Sequence, residues 1–88
     1  WAHTCWGNPN QQSFYWERPS YERPLPYFLA MNCDVVMLEG GSNQARDIAL
    51  LKHHKTDKKI GIGVVDHTRT TVESPEQVAA TIRHALEY

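Results

Sequence analysis

Asp34-Val35-Val36-Met37-Leu38-Glu39-Gly40-Gly41-Ser42 is the stretch on which the fold turns. An unbroken apolar run from Val35 to Leu38, with no polar alternation, is what a strand buried on both faces of a parallel sheet requires. Glu39 is the first carboxylate after it, and the glycines that follow turn the chain. That order places Glu39 to look into a site at the carboxyl end of the strand. Upstream, Trp1-Ala2-His3-Thr4-Cys5-Trp6-Gly7-Asn8-Pro9 reads as the end of a preceding strand leading into a turn. Downstream, Ile60-Gly61-Ile62-Gly63-Val64-Val65-Asp66 reads as a third strand, again closed by an acid. Cys5 to Glu39 is 34 residues and Glu39 to Asp66 is 27, each a natural length for one strand plus its crossover helix.

The intervening segments carry helical grammar. Ser20 is a plausible N-cap, Pro24 and Pro26 fall near the start, and Tyr27, Phe28, Leu29 and Met31 carry a helix to about Asn32. Asn43 to about Lys55 is expected as a second helix, with Ala45, Ile48, Ala49 and Leu51 as its apolar stripe. Lys52, His53, His54 and Lys55 load its C-terminal end, where cations complement the helix dipole, so His53 and His54 read as a solvated helix end. Ser74-Pro75-Glu76-Gln77 supplies an N-cap, a proline at N1 and a capping-box Gln. Val78, Ile82 and Leu86 then recur every four residues as the expected buried stripe of a third helix. The order strand, helix, strand, helix, strand, helix predicts a parallel sheet, open or closed into a barrel.

In parallel sheets ligands gather at the carboxyl ends of the strands, and His3, Cys5, Glu39, Asp66 and His67 all fall there. His3 and Cys5 are two positions apart, so on a strand they share one face. An imidazole nitrogen beside a thiolate sulfur is half of a tetrahedral zinc site; the alternative is a satisfied strand-end His next to a buried Cys. Phe14, Tyr15 and Trp16, in the loop after Cys5, read either as a lid over such a site or as packing against a neighbouring element. Gly61 and Gly63 lie on one strand face, which suggests close approach by another backbone or a ligand. They are no dinucleotide fingerprint, since no third glycine opens a helix.

Composition narrows the class further. A chain of 88 residues with 41% hydrophobic residues and a formal net charge of −1 reads as soluble and globular. No basic patch meets phosphates, so nucleic acid is not an expected partner, and no apolar run is long enough to span a membrane. Cys5 and Cys33 could form one disulfide, but in an α/β chain reduced, cytoplasmic thiols fit better. The chain opens at a strand end and closes in a helix. We therefore expect residues 1–88 to form one partial domain, incomplete at both ends.

His3-Thr4-Cys5-Trp6-Gly7-Asn8, Asp34 to Glu39, Gly61-Ile62-Gly63-Val64-Val65-Asp66 and Val72-Glu73-Ser74-Pro75-Glu76, taken together, resemble the cobalamin-independent methionine synthase family. The resemblance implies a fragment of a (β/α)8 TIM barrel, about three consecutive βα units from its later part. It implies a zinc ion held by His3, Cys5 and Glu39, with a further Cys beyond Tyr88; Cys33 does not match that ligand and reads as a small buried thiol. The implied reaction is methyl transfer from a methylated folate to a small-molecule thiol, homocysteine, in methionine biosynthesis. Asp66 and His67 are the candidates for handling the proton of the leaving folate nitrogen. Their adjacency, and the Gly40-Gly41 turn, depart from the usual synthase wording and look more like shorter single-barrel relatives. Some of those move other alkyl groups between thiols, such as epoxide adducts of coenzyme M. A non-catalytic barrel remnant is the third expectation.

Overall fold

A computed structural model describes residues 1–5, 20–67 and 69–88. Within them β1 (Ala2–His3), β2 (Val35–Glu39) and β3 (Lys59–Gly63) form one parallel sheet in chain order. Ala2 and His3 pair with Val36 and Met37, and Val35 through Glu39 pair with Lys59 through Gly63. The strands and their parallel order are those the apolar runs predict. The helix α1 (Leu25–Ala30) lies between β1 and β2, and α2 (Pro75–Ala85) follows β3.

The two faces of the sheet differ. Val36 and Leu38 point to the face covered by the crossover segments, where they are buried with Tyr21 and Leu25. Phe28, Leu29, Leu50, Leu51, Ile60 and Ile62 pack around that cluster. The opposite face carries Met37 and Glu39 on β2 with His3 beside them on β1. It is more open: Val35 and Met37 are only half-buried, so β2 is not sealed on both sides as its composition suggests. Gly61 belongs to this face, and a Cβ there would overlap the Met37 sulfur. The room it leaves is thus filled by a thioether, rather than by the backbone or ligand expected from its spacing.

Four segments depart from the sequence reading. β3 ends at Gly63, so Asp66 lies beyond the strand instead of closing it. The ladder stops because its partner strand turns away: Gly41 packs so tightly on the Val65 carbonyl that a Cβ there would overlap it. The expected helix from Asn43 to Lys55 is instead two 3₁₀ segments, Gly41–Asn43 and Arg46–His53. Gln44 and Ala45 between them adopt left-handed backbone, with the Ala45 N–H donating to the Gly40 carbonyl at 2.8 Å. Ala45, Ile48 and Leu51 recur every third residue and face the core, the row that three residues per turn brings into line.

The first helix is shorter than expected. Pro24 is its cap residue and Met31 leaves it in extended backbone, while the Ser20 hydroxyl accepts from the Glu22 N–H in the preceding turn. At α2 the capping box is present: Ser74 Oγ accepts the Gln77 N–H at 3.2 Å, and Gln77 Oε1 accepts the Ser74 N–H at 2.8 Å. Its expected stripe is not buried, however, since Ile82 is 43% and Leu86 80% exposed. Both border an apolar cavity of 470 Å³ that separates α2 from Ile60 and Ile62 of β3. The expected turn at Gly7-Asn8-Pro9 and lid at Phe14, Tyr15 and Trp16 lie outside the described residues.

Candidate functional site at the strand ends

Strand alternation and register build the site. His3 is level with Met37, and the Thr4 N–H still reaches the Met37 carbonyl, so continued alternation would bring Cys5 beside Glu39 on the same face. His3 and Cys5 are exposed; Glu39 is buried at 8%. The Glu39 carboxylate accepts a hydrogen bond from the Ser42 hydroxyl at 3.0 Å, a contact the tight Gly40-Gly41 turn makes possible. A Cβ at Gly40 would stand 2.7 Å from the Ile62 side chain and 2.8 Å from the Gly63 carbonyl, so glycine lets the chain turn directly off the sheet.

The strand ends meet at a residue to which the sequence reading gave no role. Tyr21 is 2% exposed, and its hydroxyl lies 3.1 Å from Thr4 Oγ1 and accepts the Glu39 N–H at 2.9 Å. Thr4 also reaches the Met37 carbonyl, with its hydroxyl and its N–H each 2.9 Å away. Asp47, itself buried, accepts the Tyr21 N–H at 2.7 Å. Burial pushes the Tyr21 hydroxyl above its usual 10.0. Hydrogen bonds from Thr4 and the Glu39 backbone pull the other way, while the charges of Glu39 and Cys5 add to the rise.

The remaining candidates lie elsewhere. Asp66 is ion-paired with Arg69 at 3.3 Å, and its N–H donates to Glu73 at 2.6 Å. Its side chain lines a cavity of 730 Å³ bounded by Ser42, Arg46, Arg69, Gln77 and His84, a wall that includes none of His3, Cys5 and Glu39. His67 is exposed. His53 is exposed and His54 half-buried at the end of the 3₁₀ segment. Cys5 and Cys33 are both free thiols, and Cys33 packs against the core cluster rather than at the carboxyl edge. Among the described residues no helix is long and apolar enough to cross a membrane.

A nitrogen, a sulfur and a carboxylate oxygen on one sheet edge are donors of the kind zinc takes. As the side chains stand, no group of three His, Cys, Asp or Glu among the described residues is gathered closely enough to hold a metal ion. The donors fit in type and face, and side-chain rotation has to bring them together. Tyr21 and Asp47 carried no sequence signal because their partners are set by tertiary contacts, whereas Ser42 reaches Glu39 locally across the Gly40-Gly41 turn. Only Tyr21's place between a possible cap and a proline hinted at a turn rather than a regular helix.

Residues 15–88 match the family model described as the catalytic domain of cobalamin-independent synthase. That span begins after His3 and Cys5. A methionine synthase of Saccharolobus solfataricus is 33% identical over 86 residues, which are 98% of this chain and 22% of that protein. One of Thermococcus kodakarensis is 40% identical over 62 residues, 70% of this chain and 18% of that protein. One of Saccharolobus islandicus is 32% identical over 68 residues, 77% of this chain and 20% of that protein. The chain thus spans about a fifth of the length of these curated relatives. No solved structure matches the chain significantly.

Proposed function

The chain belongs to the cobalamin-independent methionine synthase family, and from that premise we propose that it is part of a zinc-dependent methyltransferase barrel. In this reading residues 1–88 supply about three βα units of a (β/α)8 domain. The enzyme moves a methyl group from a methylated folate to the thiol of homocysteine. The observation that carries the reading is the parallel register that sets His3 level with Met37, two residues before Glu39 on the same face of the sheet.

Zinc, when bound, lowers the proton affinity of a thiol that joins it and so supplies a thiolate near neutral pH. Cys5 contributes an anionic sulfur and His3 a neutral nitrogen. Glu39 would contribute a carboxylate oxygen, the most readily exchanged of the three donors. The Ser42 hydroxyl, donating to Glu39 Oε1, holds that carboxylate in one orientation. The departing folate nitrogen needs a proton, for which Asp66 or His67 is the candidate. Asp66 would have to approach from the neighbouring cavity side, since it is here paired with Arg69 away from His3, Cys5 and Glu39.

Metal analysis of the full-length enzyme and its variants tests this. Cys5→Ser loses most bound zinc and nearly all transfer, while Glu39→Gln keeps some zinc and loses rate. Asp66→Asn and His67→Gln retain zinc, and whichever residue handles the proton slows transfer when replaced. Zinc content in Cys5→Ser equal to that of the parent enzyme would refute the ligand assignment.

A further inference from the structure

We propose that Tyr21 is a positioning residue for the candidate metal site, its hydroxyl fixing the spacing between the strand end that carries Cys5 and the one that carries Glu39. The inference rests on the reading of His3, Cys5 and Glu39 as ligands. The β1–β2 ladder reaches its last bond where the Thr4 N–H donates to the Met37 carbonyl at 2.9 Å. Glu39 is the following residue whose N–H faces the β1 side, and that N–H donates to the Tyr21 hydroxyl at 2.9 Å. The same oxygen lies 3.1 Å from the hydroxyl of Thr4, the residue between His3 and Cys5. One phenol therefore stands where the next ladder acceptor would, holding the two strands in register just where the ligands begin.

The phenol is itself fixed. Its ring lies in the core with Leu25, Val36 and Leu38, edge-on to Phe28 at 6.0 Å between centroids. Its backbone N–H donates to the buried Asp47 at 2.7 Å. This chain of contacts ties β1, β2 and the 3₁₀ segment Arg46–His53 to a single point. Thr4 faces the helix-covered side, opposite to His3 and Cys5, so Tyr21 works from behind the sheet without occupying the open face. A ligand held loosely must be ordered when the metal binds; groups bonded directly to ligand side chains are worth about 10–100-fold in metal affinity, and Tyr21, which acts through the Glu39 N–H and Thr4, belongs at the lower end of that range.

The experiment uses full-length enzyme and measures zinc affinity by chelator competition. It also records the visible absorption of the cobalt-substituted protein, which reports coordination geometry, and the thermal midpoint. Tyr21→Phe keeps the ring and deletes only the hydroxyl; Thr4→Val deletes the other hydroxyl at nearly constant volume and serves if Tyr21→Phe does not fold. Ser74→Ala, at the distant cap of α2, controls for a general loss of stability. We expect about 10-fold weaker zinc binding and a shifted cobalt spectrum in Tyr21→Phe, a smaller change in Thr4→Val, and no change in Ser74→Ala. A lowered midpoint with zinc affinity within twofold of the parent and an unchanged cobalt spectrum would show that Tyr21 is core packing alone, and would overturn the proposal. Cys5→Ser, run alongside, separates the two failures. If it binds zinc like the parent, the ligand reading falls and this proposal falls with it; if it loses zinc, the Tyr21 result stands on its own.

Discussion

The same substitution at two glycines should have opposite consequences, because the methyl group meets backbone at one and the end of a flexible side chain at the other. At Gly41 a Cβ would overlap the Val65 carbonyl and stand 2.7 Å from the Asp66 nitrogen. None of those atoms can move without shifting the chain that leaves β3. Forcing extra volume into such a contact costs about 1–3 kcal/mol or more. At Gly61 the Cβ would overlap the Met37 sulfur, with the terminal methyl at 2.7 Å. Met37 is half-buried on the open face, and its thioether can rotate away. Neither glycine has positive φ, so alanine also gains about 0.4–1 kcal/mol by restricting the unfolded chain. Gly61→Ala should therefore be near neutral, and Gly41→Ala about 2 kcal/mol worse. Divided by the urea slope of the full-length enzyme, that difference gives the expected separation of the two midpoints. Equilibrium urea unfolding with unchanged slopes measures it. Equal midpoints, or a lower one for Gly61→Ala, would refute the argument that what the methyl meets decides the cost.

Ser74→Ala removes one of the two reciprocal bonds at the start of α2 and should cost about 1 kcal/mol, read from unfolding curves; no loss would mean that the capping box does not form in solution. The Glu76 carboxyl is held below its usual 4.5, first by its own backbone N–H and then by the Ser74 hydroxyl. A lowered folded value means that the stability it contributes is present above about pH 4.5 and disappears as pH falls through the folded value. The difference in midpoint between parent and Glu76→Gln should accordingly be larger at pH 6 than at pH 3. A difference that does not change with pH would count against the assignment.

The strands were legible because burial leaves few other residues possible: Val35 to Leu38 reads as a sheet strand in any context, and β2 and β3 pair as expected. α2 was legible because its cap is written in adjacent residues. The Arg46–His53 segment was not, since Ala45, Ile48 and Leu51 suit three residues per turn as well as they suit 3.6 over so short a span. The left-handed pair that decides it is imposed by the Gly40 carbonyl. His3, Cys5 and Glu39 could be assigned to one edge from alternation alone; β1 and β2 carry His3 and Glu39, while Cys5 follows the end of β1. Asp66 could not be placed, because the strand it seemed to end stops at Gly63 for want of a partner. Tyr21 was invisible for a similar reason: its role depends on which strand ends arrive beside it.

Parallel pairing has a kinetic side. Ala2 must find Val36 across 34 residues and Val35 must find Lys59 across 24, so the chain closes two long loops before either ladder repays the entropy. β2 and β3, with five registered pairs and the shorter loop, are the natural first encounter. The closure that brings His3 alongside Met37 is the longer of the two and carries the larger entropy cost.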